Sequence, residues 1–182
     1  GFFDHTLVSL EEMMFGDPKL GLHFRTYRFF SSPLVGELMC LVYLLYYAFL
    51  PVFGGRLIVR ELWKKRGPSD VVAWYVVMVA VSYFLHYTFF FLFPAKGPAF
   101  YFVGEVERDP GFLISQLHHF VVSHFDVRGG AFPSSHVSIA FLHVFIAAHL
   151  KWRKLCIASI VVTAGICLAT VYTQAHYAVD AV

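Results

Sequence analysis

Apolar residues along this chain fall in long unbroken runs separated by short polar punctuation, with none of the narrow stripes that mark surface helices of soluble domains. Four runs predict membrane helices. Leu34 to Phe53 is entered through Ser31-Ser32-Pro33 and closed by Gly54-Gly55. Val71 to Phe93 has Asp70 as its N-cap and Pro94 as its stop. Ser134 to Leu150 follows Pro133, and Leu155 runs to about Tyr172. A spanning helix needs ~20 apolar residues, so all four qualify, the third being short. A fifth helix is expected to begin near His176. Leu7 to Phe15, with Glu11 and Glu12 between apolar positions, reads as an interfacial helix. Phe112 to Phe125 reads as a second amphipathic segment, either on the membrane surface or crossing as a distorted span. The expected fold class is all-α: a polytopic transmembrane helical bundle of about four to six membrane helices with interfacial helices.

Composition supports lipid as the solvent. Of 182 residues, 58% are hydrophobic and 14% charged, and mean hydropathy is +0.65. A soluble domain carries about 25% charged residues, too many for this chain to match. A net charge of +2 and the absence of a basic, aromatic-interleaved cluster argue against nucleic acid as a partner. Cys40, Cys156 and Cys167 lie inside apolar runs without metal-ligand spacing and read as reduced thiols. Basic residues crowd two loops: Arg56, Arg60, Lys64, Lys65 and Arg66 after the first span, and Lys151, Arg153 and Lys154 after the third. The positive-inside rule places both loops in the cytoplasm, although Arg25 and Arg28 pull the other way. The chain begins at Gly1 and stops at Val182 within an apolar pattern, and is expected to be one domain lacking residues at both ends.

Two polar segments interrupt this pattern where polar groups are costly. Ala131-Phe132-Pro133-Ser134-Ser135-His136 opens a helix, so the free N–H groups of Ser134, Ser135 and His136 are expected to point outward as an anion site. Gly129 and Gly130 would let the backbone approach a ligand. In His176-Tyr177-Ala178-Val179-Asp180, the four-residue spacing would set imidazole and carboxylate on one helical face. The carboxylate can then hold one ring nitrogen as N–H and leave the other free to attack. The topology delivers both segments to one membrane face, which the basic loops make extracytoplasmic or lumenal. Lys96, between Pro94 and Pro98, reads either as a preset phosphate ligand or as a basic residue marking a helix end, and Arg128 is a further candidate phosphate contact. Elsewhere the simpler readings prevail. His118, His119 and His124 form no metal-ligand set, His86 and His149 read as helix-packing or interface residues, and His143 reads as lining the site or, more simply, as bonding a neighbouring helix. Glu37 reads as either a support to the site or a partly exposed charge, and the many Phe and Tyr residues read as packing or lipid contacts.

Phe132-Pro133-Ser134-Ser135-His136 together with His176-Tyr177-Ala178-Val179-Asp180 resembles the PAP2 (type 2 phosphatidic acid phosphatase) superfamily. The resemblance is closest to the branch near inositol phosphorylceramide synthases, which has elements similar to Phe93 to Pro98 and to Glu11 to Gly16. It implies that His176 is the nucleophile, forming a phosphohistidine, that Asp180 orients it, and that His136 protonates the leaving group. Ser134 and Ser135 would hold the phosphoryl oxygens. It implies a membrane lipid as substrate, water or a lipid or polyol hydroxyl as acceptor, and no metal or other cofactor. Four positions depart from the family pattern: Ser135 where glycine is frequent, Thr170 where the phosphatase branch has arginine, and Ala99-Phe100 where an arginine-proline pair is usual. These departures favour the synthase-like branch over a plain phosphatase. The alternative of another class is a transporter or scaffold that retains the family skeleton without catalysis.

Overall fold

The computed structural model describes residues 2–19, 31–63, 70–103, 111–125 and 127–181. Seven α-helices occur among them: α1 (Asp4–Phe15), α2 (Pro33–Trp63), α3 (Asp70–Leu92), α4 (Pro98–Tyr101), α5 (Leu113–Phe125), α6 (Ser135–His149) and α7 (Arg153–Tyr172), followed by a 3-10 turn at Ala178–Asp180. No strand forms among the described residues, in keeping with the all-α expectation.

Three helices, α2, α3 and α7, are long and apolar enough to cross a membrane. The fourth predicted span, α6, has 15 residues, or about 22 Å at ~1.5 Å per residue, short of the ~30 Å hydrocarbon core. It occupies the middle of the bundle, packing on α7, α3 and α2. Its buried positions Val137, Ile139, Ala140, His143, Ile146 and Ala147 follow the three-and-four spacing of a helix face. One apolar cluster joins Tyr46, Ile139, Ala140 and Ile166, and a second joins Phe53, Leu57, Tyr75 and Ile146 further along the bundle.

Two predicted boundaries are corrected. Helix α2 continues through Gly54-Gly55 to Trp63. A Cβ on Gly54 would stand 3.0 Å from Tyr75 Cε1, so this glycine serves a close approach of α3 instead of a helix stop. The helix expected at His176 does not form. Helix α7 ends at Tyr172, and Gln174 adopts φ 61°. The Thr170 carbonyl accepts the N–H groups of Ala175 (3.1 Å) and His176 (3.3 Å), wrapping the chain back over the helix end.

The two amphipathic segments are also placed. Helix α5 packs on α2, where Glu37 accepts the N–H groups of Phe112 (2.8 Å), Ile114 (2.9 Å) and Ser115 (3.0 Å). Glu37 is thus an N-terminal cap supplied by another helix. Helix α1 does not turn both of its central glutamates outward: Glu12 is exposed, but Glu11 is buried together with Asp4 and Leu7. The predicted helix-packing histidines behave as such. His143 lies 2.6 Å from the Ile139 carbonyl through Nδ1 and 3.1 Å from the Tyr75 hydroxyl through Nε2. His86 Nδ1 contacts the Ser82 carbonyl, and His149 lies against Trp74. Arg25, Arg28, Lys64, Lys65 and Arg66 lie outside the described residues.

Candidate active site

Three loops meet at the end of the bundle where α6 starts and α7 finishes. Ala95 in the first pairs by backbone with the second: its N–H donates to the Gly129 carbonyl (3.1 Å), and its carbonyl accepts the Ala131 N–H (3.0 Å). Gly129, at φ 107°, and Gly130 therefore serve this pairing, where the sequence suggested an approach to ligand. Gly97, at φ 80°, brings the first loop onto the third: a Cβ there would stand 2.6 Å from the Ala175 carbonyl oxygen. The Ala99 N–H also donates to the Gln174 carbonyl at 3.0 Å.

The predicted pair His136 and His176 is brought together. His176 is buried, and its Nδ1 faces two acceptors, the Ala131 carbonyl at 2.8 Å and Asp180 Oδ2 at 3.2 Å. With acceptors on that side, Nδ1 carries the hydrogen and Nε2 carries the lone pair. The better-aligned bond goes to Ala131, so Asp180 acts on the ring chiefly through its charge. His176 Nε2 faces His136 Nδ1 at 3.4 Å, a contact satisfied when His136 Nδ1 carries hydrogen. His136 Nε2 is buried without a hydrogen-bond partner among the described residues.

Ser134 and Asp180 are tied to each other. Ser134 is the N-cap of α6, its hydroxyl accepting from the Val137 N–H, while its own N–H donates to Asp180 Oδ1 at 2.9 Å. The expected outward-pointing Ser134 N–H is thus already engaged, because a carboxylate has claimed the helix N-terminus. Ser135 is half-buried, and its hydroxyl makes no hydrogen bond among the described residues. The first-turn N–H groups of Ser135 and His136 have no intrahelical acceptor, leaving donors beside the histidines. Lys96 and Arg128 are both exposed. Lys96 Nζ lies 4.3 Å from the Phe2 ring centroid, and neither cation joins the hydrogen-bonded set around the histidines among the described residues.

Sequence reasoning missed two features. A tyrosine wall encloses His136: ring centroids of Tyr46, Tyr43 and Tyr47 stand 4.3, 4.8 and 5.8 Å from its ring. Their spacing on α2, three and four residues apart, was the available signal. The second feature is a clamp from α1. Asp4, 0% exposed, accepts the N–H groups of Lys96 (2.9 Å) and Gly97 (3.0 Å) and the Tyr177 hydroxyl (2.8 Å). Glu11, two turns along, accepts the Ala178 N–H. The two carboxylates thereby hold the residues that immediately follow His176. Burial raises the Glu11 pKa, partly offset by N–H donors of Ala178 and Val179. Burial, and then the Asp4 carboxylate, raise that of Tyr177.

Thr170, the departure from the arginine of the phosphatase branch, is 0% exposed; its hydroxyl donates to the Cys167 carbonyl at 3.0 Å. Among the described residues no three His, Cys, Asp or Glu side chains gather as a metal-binding group.

The family model described as the PAP2 superfamily matches residues 5–182. No curated protein and no solved structure matches the chain.

Proposed function

The chain belongs to the PAP2 superfamily, and from that premise we propose that it is a membrane lipid phosphatase or phosphotransferase working through a phosphohistidine at His176. The observation that carries this reading is the His176 ring: Nδ1–H is committed to Ala131 and faces Asp180, and the Nε2 lone pair points at His136. This is a nucleophile set by its surroundings, beside an acid within reach of the same reacting centre.

In the proposed first step the His176 Nε2 lone pair forms the N–P bond as the bond from phosphorus to the leaving oxygen breaks. A proton from His136 goes to that oxygen and releases the alcohol. Asp180 offsets the positive charge developing on His176. In the second step His136 takes a proton from the acceptor hydroxyl, whose oxygen attacks phosphorus and frees His176. Ser135 and the first-turn N–H groups of α6 supply donors to the phosphoryl oxygens. At 3.4 Å the two imidazole nitrogens leave no room for a phosphoryl group between them, so substrate entry has to part the rings.

Transfer to a lipid or polyol hydroxyl, in the manner of inositol phosphorylceramide synthases, is the proposed reaction. Thr170 supports it, since a fully buried threonine packed at this turn supplies no guanidinium to bind a phosphate dianion. The basic residues at the other end of α2 support an extracytoplasmic or lumenal site.

The test is mass spectrometry of products from purified protein incubated with phosphatidic acid, phosphatidylinositol and ceramide, wild type beside His176→Ala. A new headgroup on an acceptor lipid, absent from the variant, is the expected result. Free phosphate that depends on His176 would replace transfer by hydrolysis. No His176-dependent product from any of these donors would remove the phosphohistidine, leaving a scaffold or transporter as the alternative.

A further inference from the structure

At the other end of the bundle, the C-terminal turns of α2 and the α6–α7 turn enclose a cleft of ≈ 850 Å³. Arg56, Arg60, Lys151, Arg153 and Lys154 line it with Trp152, and no carboxylate belongs to the lining among the described residues. Along α2, Tyr46 and Arg60 are 14 residues apart, about 21 Å at ~1.5 Å per residue, so this is separate from the histidine site.

Basic residues at one end of a membrane bundle ordinarily do no more than set its orientation, with each charge solvated on its own. Three observations go further here. Five cations converge on one concavity, where an anion would relieve their mutual repulsion. The Arg60 guanidinium is held over the Trp152 ring at 4.4 Å, which fixes it at the cleft wall. Lys151 sits at φ 56° in the turn, a left-handed position better suited to glycine. A residue without a side chain would close this turn at lower cost, yet the sequence places a cation there.

From this arrangement we infer that the cleft binds the phosphorylated headgroup of an anionic glycerophospholipid. The first-turn N–H groups of α7, whose N-cap Trp152 makes no side-chain cap, add neutral donors at the same place. The lining also points to a lipid over a soluble anion. Trp63, 84% exposed, and Val59 and Leu155 extend the cations onto an apolar surface that a glycerol backbone and acyl chain would cover.

Native mass spectrometry of the purified protein in phosphatidylcholine micelles, with and without phosphatidylinositol 4-phosphate, tests the assignment. The expected result is one retained phosphoinositide whose dissociation constant rises about fivefold for each cation removed in Arg60→Gln, Lys151→Gly and Lys154→Gln. His176→Ala should retain the lipid, which separates this cleft from the histidine site. Lys151→Gly relieves the turn, so its melting temperature without phosphoinositide should be unchanged or higher and weaker binding cannot be blamed on unfolding. Retention that ignores these substitutions, or that His176→Ala abolishes, would overturn the site. Displacement of the lipid by millimolar inorganic phosphate would overturn its assignment to a lipid headgroup.

Discussion

Asp180 and Ser134 are joined across 46 positions of sequence by one hydrogen bond, the Ser134 N–H donating to Asp180 Oδ1 at 2.9 Å. Because the other carboxylate oxygen lies 3.2 Å from His176 Nδ1, one side chain fixes the start of α6 relative to the His176 ring. Asp180 therefore combines an electrostatic role with a structural one, and the two are separable by substitution.

Asp180→Asn keeps an oxygen that accepts from Ser134 but removes the charge beside His176. The Ala131 carbonyl still holds the Nδ1–H tautomer, so the loss of kcat should be about a hundredfold, less than when a carboxylate alone sets the tautomer (~10⁴). Asp180→Ala should lower the melting temperature as well, because the Ser134 N–H loses its acceptor. Equal melting temperatures for the two variants would count against the structural half of this role.

The proposed role of His136 as the acid would make activity depend on the leaving group. His136→Ala should cost about 10²–10⁴-fold with a substrate that releases an alkyl alcohol, and much less with p-nitrophenyl phosphate, whose phenolate leaves without a proton. Steady-state rates on both substrates decide the matter. An identical loss on each would assign His136 to a step other than protonation.

Asp4 stands 172 positions from His176 in sequence but bonds to Tyr177, the residue that follows it. Tyr177→Phe removes one donor to its carboxylate and should cost about 1–2 kcal/mol. Asp4→Ala leaves the Lys96 and Gly97 N–H groups and the Tyr177 hydroxyl without their acceptor, and should cost more than ~3 kcal/mol. Thermal unfolding in detergent should rank Asp4→Ala below Tyr177→Phe, and the reverse order would show that Asp4 does not carry the clamp.

Glu11 gives a pH signature. Its pKa is raised by burial, so the folded state binds this proton more tightly than the unfolded state. The stabilisation is fully present below the unfolded pKa and is lost as pH rises through the raised folded value. Glu11→Gln has no such proton and keeps an oxygen for the Ala178 N–H. Between about pH 8 and about pH 4 the wild type should therefore gain stability relative to Glu11→Gln as the solution is acidified. A melting-temperature difference that stays constant, or moves the other way, would place the Glu11 carboxylate in water.

Local chemistry was legible in the sequence. The apolar runs marked the helices, since lipid selects apolar residues one by one and leaves a record in composition. Pro133-Ser134 marked the start of α6, since the Ser134 hydroxyl caps that helix from within its own first turn. The four-residue spacing joined His176 to Asp180, although the pair meets through a turn and a 3-10 helix where an α-helix was expected. Tertiary structure decided the rest. Whether Gly54 ends a helix or admits a neighbour depends on Tyr75, 21 positions away. Glu37 caps a helix 75 or more positions further on, and Asp4 reaches Tyr177 across 173. A carboxylate reads the same in sequence whether it faces water or closes a buried loop. Its role is set by which unpaired N–H groups the fold delivers to it, and burial makes those bonds obligatory.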